Sequence, residues 1–202
     1  VGAYCIVTNQ IDREAAALSG VALINAPYSN TRSVAELVIA EIVFLIRQIF
    51  PKIARTHEGH WDKSADRARE VRGKKLGIIG FGNIGSQVST LAEAMGMDVY
   101  YYDTADKLSI GNATRTGSLT DILGLADVVT VHVDGSPANT NLIGATELAL
   151  MKPGACLLNL SRGHVVDIDA LADAIRSGHI AGAAVDVFPA EPHDGREPFV
   201  TP

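Results

Sequence analysis

Cysteine is nearly missing from this sequence, with two in 202 residues. Cys5 and Cys156 both sit in apolar runs. They read as buried free thiols in a reducing compartment, which excludes a disulfide framework and a cysteine-ligated zinc site. A basic excess is lacking too. Seventeen Lys and Arg stand against 23 Asp and Glu, a formal net charge of −6. Nucleic acid is therefore not an expected partner, since its general binders carry a basic surplus or patch. Apolar stretches are short. The longest, near residues 34–46, is interrupted by Glu36 and Glu41 and cannot span a bilayer, so no membrane partner is expected. No signal peptide is visible, and a cytoplasmic location is expected. His57-Glu-Gly-His60 has a spacing of three, not the four of a zinc-protease helix, and reads as a solvated helix end. No metal site is expected. The chain opens on Val1 and closes on a proline-rich stretch ending at Pro202, which reads as a piece of a longer protein.

What is present is a chain able to bury a core, 47% hydrophobic and 20% charged. Its centre is Leu76-Gly-Ile-Ile-Gly-Phe-Gly-Asn-Ile-Gly85. An apolar run reads as a buried strand, and Gly80, Gly82 and Gly85 follow in G-x-G-x-x-G spacing before a helical period from Asn83 onward. Each glycine has its own task. Gly80 permits a tight turn, Gly82 lets a pyrophosphate approach the backbone, and Gly85 lets helix and strand pack closely. The helix N-terminus offers free N–H groups and partial positive charge to phosphates. A second strand ends at Asp103, 18 residues beyond Gly85. That is the expected position of an acid accepting from the adenosine ribose hydroxyls. Asp103 would repel a 2′-phosphate and no Arg adjoins it, which favours NAD over NADP. The bland alternative is a solvated acid at a strand end.

The remaining periodicities predict alternating strands and helices. Strands are expected at 4–8, 21–25, 76–79, 98–102, 127–133, 155–160 and 180–188. Helices are expected at 12–18, 31–50, 51–61, 83–95, 118–125, 145–151 and 167–177. Near-continuous apolar strands between helices mean a parallel sheet covered on both faces, a doubly wound α/β Rossmann fold. The helix at 31–50 is apolar around most of its circumference, with Val34, Leu37, Val38, Ile42, Leu45 and Ile49 as one stripe. It is expected to be buried at a domain junction or a subunit interface.

Ligands of such sheets bind beyond the carboxyl ends of the strands. Ser161-Arg162 follows one strand, where the Arg162 fork would match a carboxylate or carbonyl oxygen. A surface ion pair with Asp167 or Asp169 is the equally simple alternative. Asp186 ends the last strand and could face a nicotinamide. Glu191, between prolines, could orient a histidine and raise its pKa. His193 is too close to Glu191, across a rigid proline, for the two side chains to meet.

Ser29-Asn-Thr-Arg-Ser-Val-Ala-Glu36, the segment from Arg72 to Gly85, Asn159-Leu-Ser-Arg-Gly163 and Ala184-Val-Asp-Val-Phe-Pro-Ala-Glu-Pro192 resemble the D-isomer-specific 2-hydroxyacid dehydrogenases along the whole chain. The resemblance implies NAD-dependent oxidation of a small 2-hydroxy acid, foremost 3-phospho-D-glycerate to 3-phosphohydroxypyruvate in serine synthesis. It implies Asn83, Ile84, Asp103, Leu160, Ser161, Arg162 and Asp186 at the cofactor. It implies Asn30 and Arg162 at the substrate, and Glu191 paired with a catalytic histidine beyond Pro202. Residues 1–30 would be a remnant of a flavodoxin-like substrate domain, 31–188 the NAD-binding domain with an interdomain or dimer helix, and 189–202 the start of the return. A homo-oligomer is expected. Asp134 stands where the family has proline, and His164 where it has a small residue. Rival readings are another 2-hydroxyacid dehydrogenase, an NAD-sensing corepressor on the same fold, or an NAD-binding and dimerising module alone.

Overall fold

Local signals set the first elements. The computed structural model describes residues 1–5, 8 and 11–190. Strand β1 (Gly2–Ala3), helix α1 (Arg13–Leu18) and strand β2 (Ile24–Asn25) come first, with β1 and β2 paired in parallel. Asp12 caps α1, its Oδ1 accepting from the Ala15 N–H at 2.9 Å. β2 is shorter than the run at 21–25 predicts, while β1 precedes the strand expected at 4–8, where Tyr4 and Cys5 form a bend and residues 6 and 7 lie outside the described residues.

The boundary expected between the helices at 31–50 and 51–61 falls earlier in the chain. Helix α2 (Thr31–Ile46) stops, Gln48 turns left-handed at φ 56°, and α3 (Ile49–His57) begins. Pro51 accounts for the break. It has no N–H to continue the ladder of α2, but it fits the first turn of a new helix. The Gln48 side chain closes the corner, its Nε2 donating to the Leu45 carbonyl at 2.9 Å. Within the chain, α2 buries one stripe of its surface. Thr31, Ala35, Val38, Ile42 and Leu45 form the one buried stripe, while Leu37 is 40% and Phe44 36% exposed.

The main sheet follows: β3 (Lys75–Ile79), α4 (Asn83–Ala94), β4 (Asp98–Tyr102), β5 (Thr114–Arg115), α5 (Leu119–Leu125), β6 (Val128–Val131), α6 (Ala145–Leu150), β7 (Ala155–Asn159), α7 (Ile168–Arg176) and β8 (Ile180–Val185). Six parallel strands run in the order β5-β4-β3-β6-β7-β8. Every residue of β6 and β7 is buried, as parallel strands covered on both faces should be. Alternate strand residues feed two cores. Leu76, Ile78, Val99, Val128 and Leu158 pack beneath α2 and α4. Ile79, Val129, Val131 and Leu157 pack beneath α5, α6 and α7, against Ile122, Leu148 and Leu171. Each such aliphatic side chain contributes roughly 1.5–3 kcal/mol of burial. Side chains start three helices, with Ser118 accepting from the Asp121 N–H at 3.1 Å, Asp167 from the Ala170 N–H at 3.0 Å, and Glu147 from the Gly144 N–H at 3.1 Å. No described helix is long and apolar enough to cross a membrane.

The chain leaves β3 through α4 to one side and returns to β6 on the other. The helices diverge there, and a crevice opens at the carboxyl ends of β3 and β6.

Candidate functional site

The glycine loop joining β3 to α4 places its three glycines in different surroundings. Gly80 has φ +93°, and a Cβ there would sit 2.6 Å from the His132 carbonyl oxygen. At Gly85 a Cβ would fall 2.2 Å from the Gly80 carbonyl oxygen, so nothing larger than hydrogen fits between loop and helix. Gly82 is the opposite case: a Cβ would meet nothing within 4 Å. The open space lies at the start of α4, where no side chain caps the helix. Uncapped N–H groups beside a void are what a pyrophosphate requires.

Asp103 leaves β4 and turns to this loop. Its Oδ2 accepts from the Phe81 N–H and its Oδ1 from the Ala105 N–H, both at 2.8 Å. Two bonds leave about two of the four acceptor positions of a carboxylate for ribose hydroxyls. Although no Arg adjoins Asp103 in sequence, β5 brings Arg115 to the same loop. It pairs with Asp106 and donates to the Ala105 carbonyl at 3.2 Å.

A cleft of about 550 Å³ continues from this loop across the sheet. Asn83, Ile84, Leu160, Ser161, Arg162 and Asn30 line it, so six of the residues singled out in the sequence share one wall. Asn30 precedes α2 without capping it, which leaves its amide unspent on the helix. Arg162 makes no ion pair with Asp167 or Asp169. Asp167 is committed to capping α7, and among the described residues no carboxylate lies within ion-pair distance of Arg162. Its Nη1 donates to the Ser161 carbonyl at 2.6 Å.

Several contributors had no role assigned from the sequence. Asn159, wholly buried, builds the turn that presents Arg162. Its Oδ1 accepts from the Ser161 N–H at 3.1 Å and Oγ at 2.8 Å, and its Nδ2 donates to the Arg162 carbonyl at 3.0 Å. His132 lines the cleft with Nδ1 sealed from solvent and unpartnered among the described residues, while Nε2 meets Thr130 Oγ1 at 2.9 Å. Burial pushes its pKa down to about 4, so the ring is neutral. Asp134, in place of the proline expected there, stiffens the loop by other means. Its Oδ1 accepts from the Ser136 N–H at 3.0 Å and from Asn139 Nδ2 at 2.8 Å. His164 lies in a 3-10 turn with a buried Nε2 that has no partner among the described residues.

Asp186 donates its N–H to the Asn159 carbonyl at 3.1 Å. It is exposed just beyond β8 and is not among the cleft-lining residues. Its charge acts on Glu41 of α2, whose pKa burial first and Asp186 second raise to about 7. Glu191 and His193 lie outside the described residues. The described chain comes close to Arg162 just beyond β8, since a Cβ on Gly163 would lie 2.0 Å from the Phe188 carbonyl carbon. The segment after β8 therefore crosses directly over Gly163, the residue next to Arg162.

Residues 39–202 match the model of the D-isomer specific 2-hydroxyacid dehydrogenase NAD-binding domain. The chain belongs to this family. D-3-phosphoglycerate dehydrogenase of Escherichia coli K12 is 54% identical over 202 residues, which is all of this chain and 49% of that protein. The chain thus spans about half the length of the curated relatives it matches. The NAD-complexed D-isomer specific 2-hydroxyacid dehydrogenase of Lactobacillus delbrueckii superimposes with a TM-score of 0.88 at 30% identity, over 99% of this chain and 61% of that one. The D-lactate dehydrogenase of Aquifex aeolicus, complexed with NAD and lactic acid, superimposes with a TM-score of 0.83 at 30% identity, over 93% of this chain and 57% of that one. The cofactor of this family's domain is NAD, and the open volume at Gly82, the uncapped start of α4 and Asp103 fit it.

Proposed function

We propose that this chain is the NAD-binding part of a cytoplasmic enzyme that oxidises 3-phospho-D-glycerate to 3-phosphohydroxypyruvate. One observation carries the choice of substrate: 54% identity, along the entire chain, to a protein named for that reaction. Fold and cleft alone leave the choice open, because lactate and formate dehydrogenases share the architecture at 26–30% identity.

In this reading the N–H groups at the start of α4 hold the diphosphate and Asp103 accepts from the adenosine ribose. Asn83, Ile84, Leu160 and Ser161 line the cofactor's path, and Asp186 meets the nicotinamide end. Bound NAD supplies the hydride acceptor. Arg162 grips the substrate carboxylate and carbonyl oxygen through its planar fork and stabilises charge developing on that oxygen. Asn30 orients the substrate from α2. A histidine paired with Glu191 takes the hydroxyl proton. Residues 1–30 belong to the substrate domain, 31–188 to the cofactor domain, and 189–202 begin the return between them. Self-association of copies through α2 and α3 is part of the proposal, supported by exposed Leu37, Phe44, Phe50 and Ile53.

Turnover by the protein at the full length of its relatives is the test. Oxidation of 3-phosphoglycerate should exceed that of D-lactate or D-glycerate by at least about a hundredfold in kcat/KM. Equal rates would reject the substrate assignment. Asp103→Ala should raise the Kd for NAD about tenfold, and an unchanged preference for NAD over NADP would reject the ribose role.

A further inference from the structure

The opposite edge of the sheet carries a second cavity. It measures about 510 Å³ and lies at the amino ends of β3, β6, β7 and β8, away from the strand ends that form the NAD cleft. Arg67, Arg69, Lys74 and Lys152 line it, with Asp127 as the one acid. This runs against the whole chain, whose formal net charge is −6.

Asp127 cannot balance the cluster, because both of its oxygens are committed. Oδ1 pairs with Lys152 Nζ at 2.9 Å, and Oδ2 accepts from the Lys75 N–H at 2.9 Å. Burial alone would raise its pKa, but these partners and the nearby Lys74 hold it below the usual carboxylate range, so it stays ionised. Arg67, Arg69 and Lys74 remain in excess, with no ion pair to any described carboxylate. Arg67 is held at φ 58°, a left-handed conformation unusual for a side chain of this kind, by its N–H bond to Asp66 Oδ1 at 3.0 Å. The Arg69 N–H bonds the Ile46 carbonyl at 2.9 Å, which fixes the connecting segment against the end of α2. Gathering like charges costs free energy that a multivalent anion repays, and two guanidinium forks suit phosphate or carboxylate oxygens.

We propose that this cavity binds a small molecule carrying two or more negative charges as phosphate or carboxylate groups, at a site separate from the dinucleotide cleft. The cavity is larger than a single phosphate needs, and its apolar wall, Leu45, Ile46, Ile175 and Ile180, would receive the body of such a ligand. The site does not depend on the substrate assignment.

The test is calorimetric titration of the 202-residue chain with inorganic pyrophosphate, at constant ionic strength and with NAD saturating. Saturation closes the Gly82 site to the probe. One pyrophosphate should bind per chain, and Arg67→Gly with Arg69→Gln should weaken it by about tenfold or more. Both side chains are exposed, and glycine suits the backbone at 67, so the variant keeps its fold, which its NAD affinity verifies. Absence of binding, equal binding by the variant, or displacement of pyrophosphate by NAD would each overturn the proposal.

Discussion

Arg162 owes its place to a neighbour that opens the Asn159–Gly163 segment but had no role assigned from the sequence. Asn159 spends both ends of its amide on the turn after β7, accepting twice from Ser161 and donating once to the Arg162 carbonyl. Asn159→Ala leaves buried donors and an acceptor unmet, at about 1–3 kcal/mol. Chemical denaturation should show that loss, and the full-length enzyme should lose substrate affinity with it. Asn159→Asp keeps the two acceptor bonds and should recover part of the stability. If alanine and aspartate variants are equally stable, the amide does not build the turn. Residues with a private chemical reason were legible beforehand: the glycines through their spacing, Asp103 through its distance from them. Asn159, His132 and Glu41 were not. An apolar environment is made by residues far away in sequence, and a buried asparagine or glutamate carries no local sign of it.

At the scale of elements, periodicity identified most of the main sheet, and the helix ranges expected to begin at Asp12, Ser118 and Asp167 do begin there, each residue capping its helix. The reading failed where tertiary pairing decides. β5 is two residues long, and its pairing with β4 is a long-range event without periodicity. The break at Gln48 was expected three residues later, because Pro51 marks the first turn of a helix without saying which of its positions it takes. The loop between β3 and α4 offers the sharper experiment, since two of its glycines serve different ends. Gly82 has φ −86° and empty surroundings. Gly82→Ala should therefore melt no lower than the parent without ligand, yet lose about tenfold or more in NAD affinity, since the methyl occupies the diphosphate's space. Gly85→Ala forces a methyl to within 2.2 Å of a carbonyl oxygen and should cost on the order of 1–3 kcal/mol even without NAD. Thermal melts with and without NAD separate the two. Matching losses would mean that the loop has one role, not two.

Across the whole molecule, two titrating groups shifted by burial pull stability in opposite directions. Burial, with Asp186 behind it, raises Glu41 from 4.5 to about 7. Its contribution is full below about pH 4.5 and is lost as pH rises through 7, because the folded protein holds a proton that the unfolded chain releases. Burial lowers His132 from 6.5 to about 4. Its contribution is full above 6.5 and is lost as pH falls towards 4, because the unfolded chain then takes up the proton. Between about pH 4.5 and 6.5 the two slopes oppose each other, and these groups leave stability nearly level. Glu41→Gln removes one of them. The variant should gain stability with rising pH across that window, with a slope of at most about 1.4 kcal/mol per pH unit from His132 alone. It should also outlast the parent at pH 8, where the parent must bury a charged Glu41 beside Asp186. That advantage is smaller than the full pKa shift implies, since Glu41 keeps partial access to water. Urea unfolding at several pH values reads both effects. A variant whose stability profile runs parallel to the parent's would show that Glu41 is ionised in the fold throughout, and that α2 and β8 meet without sharing a proton's worth of strain.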